Sequence, residues 1–378
     1  MMTHRLQRRL LVPPLLLLII VPLASSFSPF PSPEQTVSSS SLLFLLPAAP
    51  VSSSSRRSVL STVSLLLPWS IRLEPTIAIA ADDSATALQD NIQTNIPVQI
   101  SITGDAKQLF NEGRALESQG NLAAARRLYE KVTRIAPRFI YGWSNLGNTQ
   151  TAFGELQQAE ESYSTAIQLC RESLQQSNAE DAGTPAFGVP RCADLYVLLL
   201  NRGTVRLNRN DNDDISESEA ARSQRIQQAL EDLQQSSTLR GRPDAIILQN
   251  LARAEELTGR YAAADRDYTL AITMTSNQVN PFWLRSALVK FQLGDVQAGL
   301  DLLKRVEVRF PEAPEVRAAR ATFYEAKGDA TAAQQTFLEI PDKQRLKFSD
   351  QAYLTRTIAW PPAMIDVLSK ITKAVGDR

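Results

Sequence analysis

The feature that most constrains the fold of this chain is an internal repeat with a period of about 34 residues. Four positions of the first unit return with the same residue type in the second, and the pairs are Gly113 and Gly147, Gly120 and Gly154, Ala125 and Ala159, and Tyr129 and Tyr163. A period of this length is typical of stacked structural units, each of which buries its apolar faces against its neighbours. The repeat therefore predicts an array of similar units rather than a single globular core.

Later units continue in the same phase. Their marker residues are Gly203 and Ala229 in the third unit, Gly259, Ala264 and Tyr268 in the fourth, Trp283 and Gly294 in the fifth, and Gly328, Ala333 and Phe337 in the sixth. Gly203 and Ala229 are more than twice as far apart in the sequence as Gly113 and Ala125, the equivalent pair of the first unit. The third unit therefore carries an insertion between its two predicted helices.

The pattern resembles the tetratricopeptide repeat. Trp143, Leu146 and Gly147 occupy the places of its Trp-x2-Leu-Gly signature, and Pro137 closes the first unit. The resemblance implies an all-α fold, a tetratricopeptide-repeat superhelix or α-solenoid of about six helix-turn-helix repeats with a C-terminal capping helix pair. The implied domain has repeats at residues 106–139, 140–173, 196–242 with the insertion, 245–278, 280–313 and 314–347, followed by a cap at 348–378.

Two helices are expected in the cap. The first is predicted to run to about Trp360, where Pro361 and Pro362 break it. The second is predicted to be amphipathic, with one apolar face formed by Met364, Ile365, Leu368 and Ile371.

Residues 1–26 have the anatomy of a secretory signal peptide. Three arginines precede an apolar stretch that contains prolines, and the segment ends in small residues before Phe27. Residues 27–55 are rich in Ser and Pro and poor in acids, which resembles the transit segment of the bipartite plastid presequence in algae with secondary plastids. A retained membrane anchor is the alternative for the apolar stretch.

Residues 56–80 resemble a twin-arginine signal for transfer into the thylakoid lumen. Arg56 and Arg57 precede an apolar run that ends in the A-x-A site Ala78-Ile79-Ala80. We therefore expect a chloroplast protein delivered to the thylakoid lumen, whose mature chain begins near Ala81 with residues 81–105 as a linker. Retention in the stroma, with this segment uncleaved, is the alternative.

Charge and composition exclude several functions. Six of the 40 basic and two of the 40 acidic residues lie in the first 80 positions, so the remainder has a net charge of −4. Proteins that bind nucleic acid usually carry a positively charged surface, so this charge argues against nucleic-acid binding. His4 is the single histidine of the sequence, and cleavage of the leader would remove it. The sequence shows no catalytic, phosphate-binding or paired metal motif, so we expect a non-enzymatic protein without a cofactor.

Two stretches are predicted to interrupt the array. The first, from Gln175 to Pro190, has the composition of a loop. The second contains Asp211-Asn212-Asp213-Asp214, but it lacks the sixth-position glycine and the twelfth-position glutamate of a calcium loop. We expect a solvated acidic loop there, with metal binding as the alternative.

Protein binding is the function that stacked repeats favour, because their first helices line one surface that suits an extended or helical partner segment. The candidate groove residues follow one stripe of these helices, and they are Lys107, Phe110, Arg114, Tyr141, Ser144, Asn145 and Asn148. We expect Phe110 and Tyr141 to anchor a partner, so that replacing both by alanine weakens binding without unfolding the array. Only Asn145 matches the carboxylate clamp of chaperone-binding tetratricopeptide domains, so a cytosolic co-chaperone role is not expected.

The same stripe becomes apolar in the third and fifth repeats. Its members there are Val197, Leu200 and Leu207 in the third, and Leu284, Leu288 and Phe291 in the fifth. Apolar side chains of this size either form an interaction site or pack within the molecule, and the sequence leaves both alternatives open.

Cys170 and Cys192 are the two cysteines of the sequence, and they bracket the first predicted loop. In an oxidising compartment a disulfide between them would pin the two ends of that loop together. Two separate thiols in apolar surroundings are the alternative.

Taken together, these features predict a non-catalytic scaffold for protein–protein interaction in the thylakoid lumen. The predicted targeting segments and the family resemblance imply a role in the assembly or maintenance of photosynthetic complexes. The implied partners are subunits of these complexes, and peripheral association with the thylakoid membrane is also implied. The alternative is a tetratricopeptide binding module in the stroma or another organelle, unrelated to photosystem assembly.

Overall fold

The computed structural model describes most of the chain beyond its N-terminal region, namely residues 98–180, 192–209, 217–275 and 278–376. The predicted signal peptide, transit segment and twin-arginine segment lie outside the described residues. Most of the predicted linker and the acidic cluster of the third repeat also lie outside them.

Twelve of the helices in the described part form six packed pairs, one for each predicted repeat. The pairs are α1 (Gly104–Ser118) with α2 (Leu122–Ile135), α3 (Ile140–Ala152) with α4 (Leu156–Glu180), α5 (Leu195–Asn208) with α6 (Glu219–Arg240), α7 (Ala245–Leu257) with α8 (Tyr261–Met274), α9 (Phe282–Gln292) with α10 (Val296–Arg309), and α11 (Pro314–Ala326) with α12 (Ala330–Leu338). The second helix of each pair also packs against the first helix of the next, so the six pairs form a continuous stack. The predicted all-α solenoid is therefore confirmed.

The repeated glycine and tyrosine allow the two helices of a pair to cross closely. A Cβ atom added at Gly147 on α3 would lie only 2.9 Å from Cε1 of Tyr163 on α4. Tyr163 is fully buried, and its hydroxyl donates a hydrogen bond to Oδ1 of Asn148 at 2.7 Å. The glycine is thus needed for close approach, and the tyrosine fills the space that it leaves.

The turn inside each pair also follows from the sequence. Gly154, between α3 and α4, has a φ of 80°, a left-handed conformation that glycine adopts without steric strain. In later repeats the next helix begins at an aspartate cap, where the carboxylates of Asp295 and Asp329 accept hydrogen bonds from the amides of Ala298 and Ala332 at 3.2 and 3.0 Å. A left-handed glycine followed by a cap reverses the chain within a few residues.

The helix α4 is longer than the sequence analysis predicted. It continues through Glu180, so the first residues of the predicted loop at Gln175–Pro190 are helical. Glutamine, alanine and glutamate all favour helices, and this propensity extends α4 past the end of the repeat.

The end of the predicted linker is ordered structure. Residues 98–103 precede α1, and Gln99 forms a β-bridge with Phe139, in which its amide donates to the carbonyl of Arg138 at 2.9 Å. Val98 and Ile100 pack against the core between the second and third repeats. The linker predicted at 81–105 is therefore wrong in its last residues, because these apolar side chains pack on the array.

The C-terminal cap contains one regular helix of more than four residues, whereas two helices were predicted. The chain before that helix forms short turns, which are α13 (Asp342–Arg345) at the end of the sixth repeat, a 3-10 turn (Leu346–Ser349) at the boundary with the cap, and a π turn (Tyr353–Thr357) within the cap. The helix α14 then runs from Pro362 to Gly376 and buries the predicted face of Met364, Ile365, Leu368 and Ile371. Pro362 starts this helix, since proline is tolerated where an amide has no helical partner.

A disulfide joins Cys170 on α4 to Cys192 just before α5, with their Cα atoms 5.4 Å apart. Both side chains are buried in the core between the second and third repeats. The bond holds the end of the second repeat beside the start of the third, although the two cysteines are 22 positions apart in the sequence.

Loss of this disulfide is expected to lower the free energy of unfolding by about 3 kcal/mol, because the open chain regains the entropy of the closed loop. The measurement is urea denaturation of the oxidised protein against the Cys170→Ser/Cys192→Ser variant. Free thiols found after digestion under non-reducing conditions, or equal midpoints for the two proteins, would contradict this expectation.

Candidate functional site

The candidate site lies on the first helices of the repeats, α1, α3, α5, α7, α9 and α11. We use the term first-helix stripe for the side chains at positions 2, 5, 6, 9 and 12 of each repeat on these helices. The stripe contains all the groove residues predicted from the sequence. Its character differs between repeats 1–3 and repeats 4–6.

Phe110 is not an exposed anchor. Only 8% of its surface is accessible, and its ring contacts Phe139 with centroids 5.0 Å apart and Tyr129 with centroids 5.8 Å apart. Lys107 and Arg114, on either side of it along the helix, are exposed. The structure thus places Phe110 in the core of the first repeat, because the loop before α3 places Phe139 over its ring.

Tyr141 also makes an intramolecular contact. It is half-buried, and its hydroxyl donates a hydrogen bond to Oδ2 of Asp194 at 2.8 Å, which links the second repeat to the start of the third. Burial and the Asp194 carboxylate raise the pKa of Tyr141. Alanine in place of Phe110 and Tyr141 would remove packing as well as any partner contact, so this double substitution cannot separate binding from folding.

The predicted polar groove residues of the second repeat are buried. Ser144, Asn145 and Asn148 are each 6% exposed or less. Asn148 accepts from Tyr163 and lies 3.4 Å from Nδ2 of Asn201 on α5. Asn148 therefore links the second repeat to the third, whereas Oγ of Ser144 has no hydrogen-bond partner in the described structure. The structure places these predicted groove residues in the interior rather than on an exposed surface.

The apolar part of the stripe packs within the molecule. Of the two alternatives that the sequence left open, intramolecular packing is the one found at Leu284, Leu288 and Phe291, which share a core with Trp360 and Met364 of the cap. Val197 and Leu200 of the third repeat are likewise buried.

In repeats 4–6 the stripe carries a buried ion cluster. The carboxylate of Glu256 on α7, of which 2% of the side chain is exposed, pairs with Arg253 at 2.9 Å and forms a close hydrogen-bonded pair with Arg285 on α9. Arg285 also lies 3.5 Å from Glu315 on α11. Tyr268 donates its hydroxyl to Glu256 at 3.1 Å. Three consecutive repeats are thus connected by one set of opposite charges.

Burial and charge act in opposite directions on this cluster. Burial would raise the pKa of Glu256, but Arg285 and Arg253 outweigh it and hold that pKa below the ordinary value. Burial would lower the pKa of Arg285, and Glu256 and Glu315 outweigh it in the same way. Glu256 and Arg285 are therefore both charged at neutral pH.

The cluster holds a non-helical segment of the chain's own C-terminal cap. Arg285 donates from Nη1 to the carbonyl of Ile358 at 3.0 Å and from Nη2 to the carbonyl of Ala359 at 2.6 Å. The indole of Trp360 donates to Oε1 of Glu315 at 2.9 Å. Arg253 adds a long contact of 3.5 Å to the Ile358 carbonyl. The stripe of repeats 4–6 therefore already binds main-chain carbonyl groups and an aromatic side chain.

Sequence analysis missed this site. Its signal was present in the spacing, since Arg285 lies 29 positions from Glu256 and 30 from Glu315, close to the repeat period. Charges at such intervals lie on equivalent helices of consecutive repeats. The segment that they bind could not be found in this way, because Ile358 is 73 positions from Arg285.

A second acidic site in the fourth repeat is expected to make stability depend on pH. Glu255 on α7 is buried with one carboxylate oxygen unpaired, and burial, followed by the negative charge of Asp267, raises its pKa from 4.5 to about 7. Arg266 and Arg260 oppose this shift only in part. Burial also raises the pKa of Asp267. Both carboxyl groups are thus easier to protonate in the folded protein.

A carboxyl group whose pKa is higher in the folded state binds its proton more tightly there. Its stabilising contribution is complete below the unfolded value of 4.5 and is lost as the pH rises through about 7. We expect Glu255→Gln to reduce the fall in melting temperature between about pH 5 and about pH 8. The exposed Glu161→Gln is the control, and an unchanged pH dependence in Glu255→Gln would contradict the assignment.

Within the residues that the structure describes, no three His, Cys, Asp or Glu side chains come together in a way that could hold a metal ion. No described helix combines the length and the apolar character needed to cross a membrane.

A comparison with known families agrees with the repeat architecture over part of the chain. A family model described as tetratricopeptide repeat matches residues 110–173 and 284–345, together a third of the chain. No match was found among curated proteins.

Similar solved structures include a chain of the APC/C hetero-tetramer Cut9–Hcn1, at 17% identity and a TM-score of 0.45, covering 76% of this chain and 46% of that one. This chain thus spans less than half of that protein's length. A thermophilic tetratricopeptide repeat protein of Thermus thermophilus is 15% identical with a TM-score of 0.32, and one from Parabacteroides merdae is 16% identical with a TM-score of 0.33. Each alignment covers 71% of this chain and 98% of the other.

The helix pairs and the family match define the class of protein. It is an all-α solenoid, of which residues 110–173 and 284–345 match the tetratricopeptide repeat. Proteins built from these repeats generally act as scaffolds for protein–protein interaction.

Proposed function

We propose that this protein is a non-catalytic scaffold that binds an extended segment of a partner protein on the first-helix stripe of repeats 4–6. The observation that supports it is the pair of hydrogen bonds from Arg285 to the consecutive carbonyls of Ile358 and Ala359. Main-chain carbonyls are common to all peptides, so a guanidinium fixed by carboxylates suits peptide binding in general. The buried stripe of repeats 1–3 serves instead to hold the array together.

The place of action proposed is the thylakoid lumen, with subunits or assembly intermediates of photosynthetic complexes as partners. The support is the order of the leader segments, in which a signal peptide, a plastid transit segment and a twin-arginine segment occur in series over residues 1–80. The disulfide between Cys170 and Cys192 suits an oxidising compartment. The alternative remains a tetratricopeptide binding module in the stroma or another organelle, unrelated to photosystem assembly.

Two measurements test this proposal. N-terminal sequencing of the protein from protease-treated thylakoids should give a mature start near Ala81 from a protected lumenal pool. Affinity capture from detergent-solubilised thylakoids, with residues 81–378 as bait, should enrich photosynthetic subunits over an unrelated repeat protein used as a control. Recovery of stromal proteins only, or a protein that starts upstream of Arg56 in the stroma, would favour the alternative.

A further inference from the structure

We propose that the partner segment of this site has the chemistry of the chain's own residues 358–371, and that the cap must leave the site before the partner binds. In this pattern, two residues outside any helix, such as Ile358 and Ala359, are followed by an aromatic residue. Proline and an amphipathic helix then follow. This inference rests on the proposed function, because it concerns the same stripe of repeats 4–6. It adds the kind of partner and the competition with the cap.

The first element of recognition is the aromatic side chain. Trp360 is 4% exposed, and the centroid of its ring lies 6.1 Å from that of Phe348. Its indole N–H donates a hydrogen bond to Glu315. Large aromatic residues contribute much of the binding energy when they fill a closed pocket and satisfy their polar atom. A partner therefore needs tryptophan, or another aromatic residue with a donor, at this place.

The second element is the start of a helix. Gln292 at the end of α9 accepts a hydrogen bond through Oε1 from the amide of Ala363 at 2.9 Å, and this amide has no helical partner of its own. Proline at the preceding position suits the first turn of a helix. Gln292 thus favours a segment in which a helix begins two residues after the aromatic residue.

The third element is one apolar face of the helix. Met364, Leu368 and Ile371 of α14 are buried against the core of the last two repeats, while Asp366 and Lys370 are exposed. The helix packs on α9, α11 and α12. This is the arrangement of an amphipathic helix in a groove, in which residues at intervals of three and four positions are the anchors.

Contacts within the repeats themselves position Arg285. Glu256 and Glu315 hold the guanidinium of Arg285 in place from α7 and α11, and the two arginines and two glutamates of the cluster balance in charge. These contacts do not involve the cap, so once the cap has left, the guanidinium is already oriented for a ligand.

The cap itself is connected in a way that permits release. Between α12 and α14 the chain forms only short turns, most of whose residues are exposed. Ala359 has a φ of 44°, a left-handed conformation that alanine rarely adopts and that is strained. Release of residues 358–360 relieves this strain, whereas a partner with glycine at the corresponding position would bind without it.

The experiment uses the full chain and a fluorescent synthetic peptide with the sequence of residues 357–376. The wild-type protein is expected to bind the peptide weakly, because its own cap fills the site. The Trp360→Ala/Leu368→Ala variant, in which the cap is weakened, should bind it at least about tenfold more tightly. Adding Arg285→Lys should reduce that affinity about tenfold, because lysine cannot hold both carbonyls in one plane.

Two matched controls distinguish binding at this site from nonspecific binding of the peptide. Lys304→Ala, which removes an exposed charge on the second helix of the fifth repeat, should leave peptide affinity unchanged in the opened variant. A peptide with alanine in place of its tryptophan should bind at least about tenfold more weakly than the original. Equal affinity for the two peptides would overturn the aromatic requirement.

An opened variant that keeps its helical circular dichroism but does not bind the peptide would overturn the inference. If that variant does not fold, hydrogen exchange on the wild-type protein decides the matter. Amides of α14 should exchange faster than those of α9 and α11, and equal protection would show that the cap does not leave. The opened variant could also form a dimer in which each copy binds the cap of the other. That result would identify a second copy of this chain as the ligand and would also overturn the inference.

The affinity-capture experiment tests the proposed function independently of the peptide-binding experiment. Captured partner proteins that the peptide does not displace would leave the scaffold function standing and would remove this inference. The second case is one in which the peptide affinities of the variants differ as expected but no photosynthetic partner is captured. This result would support the recognition chemistry and would count against the proposed cellular role.

Discussion

Replacing Glu256 by glutamine is expected to lower the free energy of unfolding by about 3 to 5 kcal/mol, the range found when one partner of a buried ion pair is removed. Glutamine has the same shape but no charge. Arg253 would then lose its ion pair with Glu256, and Arg285 would keep only Glu315 while it remains buried among the first helices of three repeats. A cation left in this environment without its main partner is strongly disfavoured.

The sixth repeat offers a control at the same repeat position. Glu325 corresponds to Glu256, is half-buried, and forms no ion pair in the part of the chain that the structure describes. Glu325→Gln should change stability by no more than about 0.5 kcal/mol. Urea denaturation at neutral pH, followed by circular dichroism, measures both variants.

The pH dependence gives an independent check on Glu256. Since its pKa is lower in the folded than in the unfolded state, its contribution is present above the unfolded value of 4.5 and is lost as the pH falls below it. The difference between wild type and Glu256→Gln should therefore shrink in acid. A loss below about 1 kcal/mol at neutral pH would show instead that desolvation cancels the attraction within the cluster.

The second large effect is expected at Trp283. Its side chain is fully buried in the core of the last two repeats and the cap, and the guanidinium of Arg305 lies over its ring at 4.4 Å. Trp283→Ala should lower the free energy of unfolding by about 3 to 5 kcal/mol, because it leaves a large cavity that helices held on several sides cannot fill. The loss should be seen by urea denaturation, and by hydrogen exchange in α9 and α11.

Trp143 is the matched control, since it occupies the same position in the second repeat. It is only half-buried, and its indole donates to the carbonyl of Pro137 at 2.8 Å. Trp143→Ala should therefore be less damaging than Trp283→Ala. The indole nitrogen of Trp283 has no hydrogen-bond partner in the described structure, so Trp283→Phe should keep most of the stability. Equal losses for the two alanine variants would contradict the argument from burial.

The stripe of repeats 1–3 shows the limit of prediction from sequence. Repeat spacing placed Phe110 and Asn148 correctly on the first helices. It could not show that Phe139 covers the ring of Phe110, or that Tyr163 and Asn201 use the polar atoms of Asn148. A stripe of a helix is defined by spacing alone, whereas its exposure depends on neighbours that spacing does not identify.

The sequence by itself determined the helix pairs, their order and the crossings at Gly113 and Gly147, because these depend on residues within one repeat and its neighbour. Only the tertiary structure decided what covers the stripe of repeats 4–6. The contacts of Arg285 with Ile358 and Ala359 join residues 73 and 74 positions apart, more than twice the repeat period. No periodic signal encodes such a contact, because the cap is not a repeat and its place depends on the groove that the finished array presents.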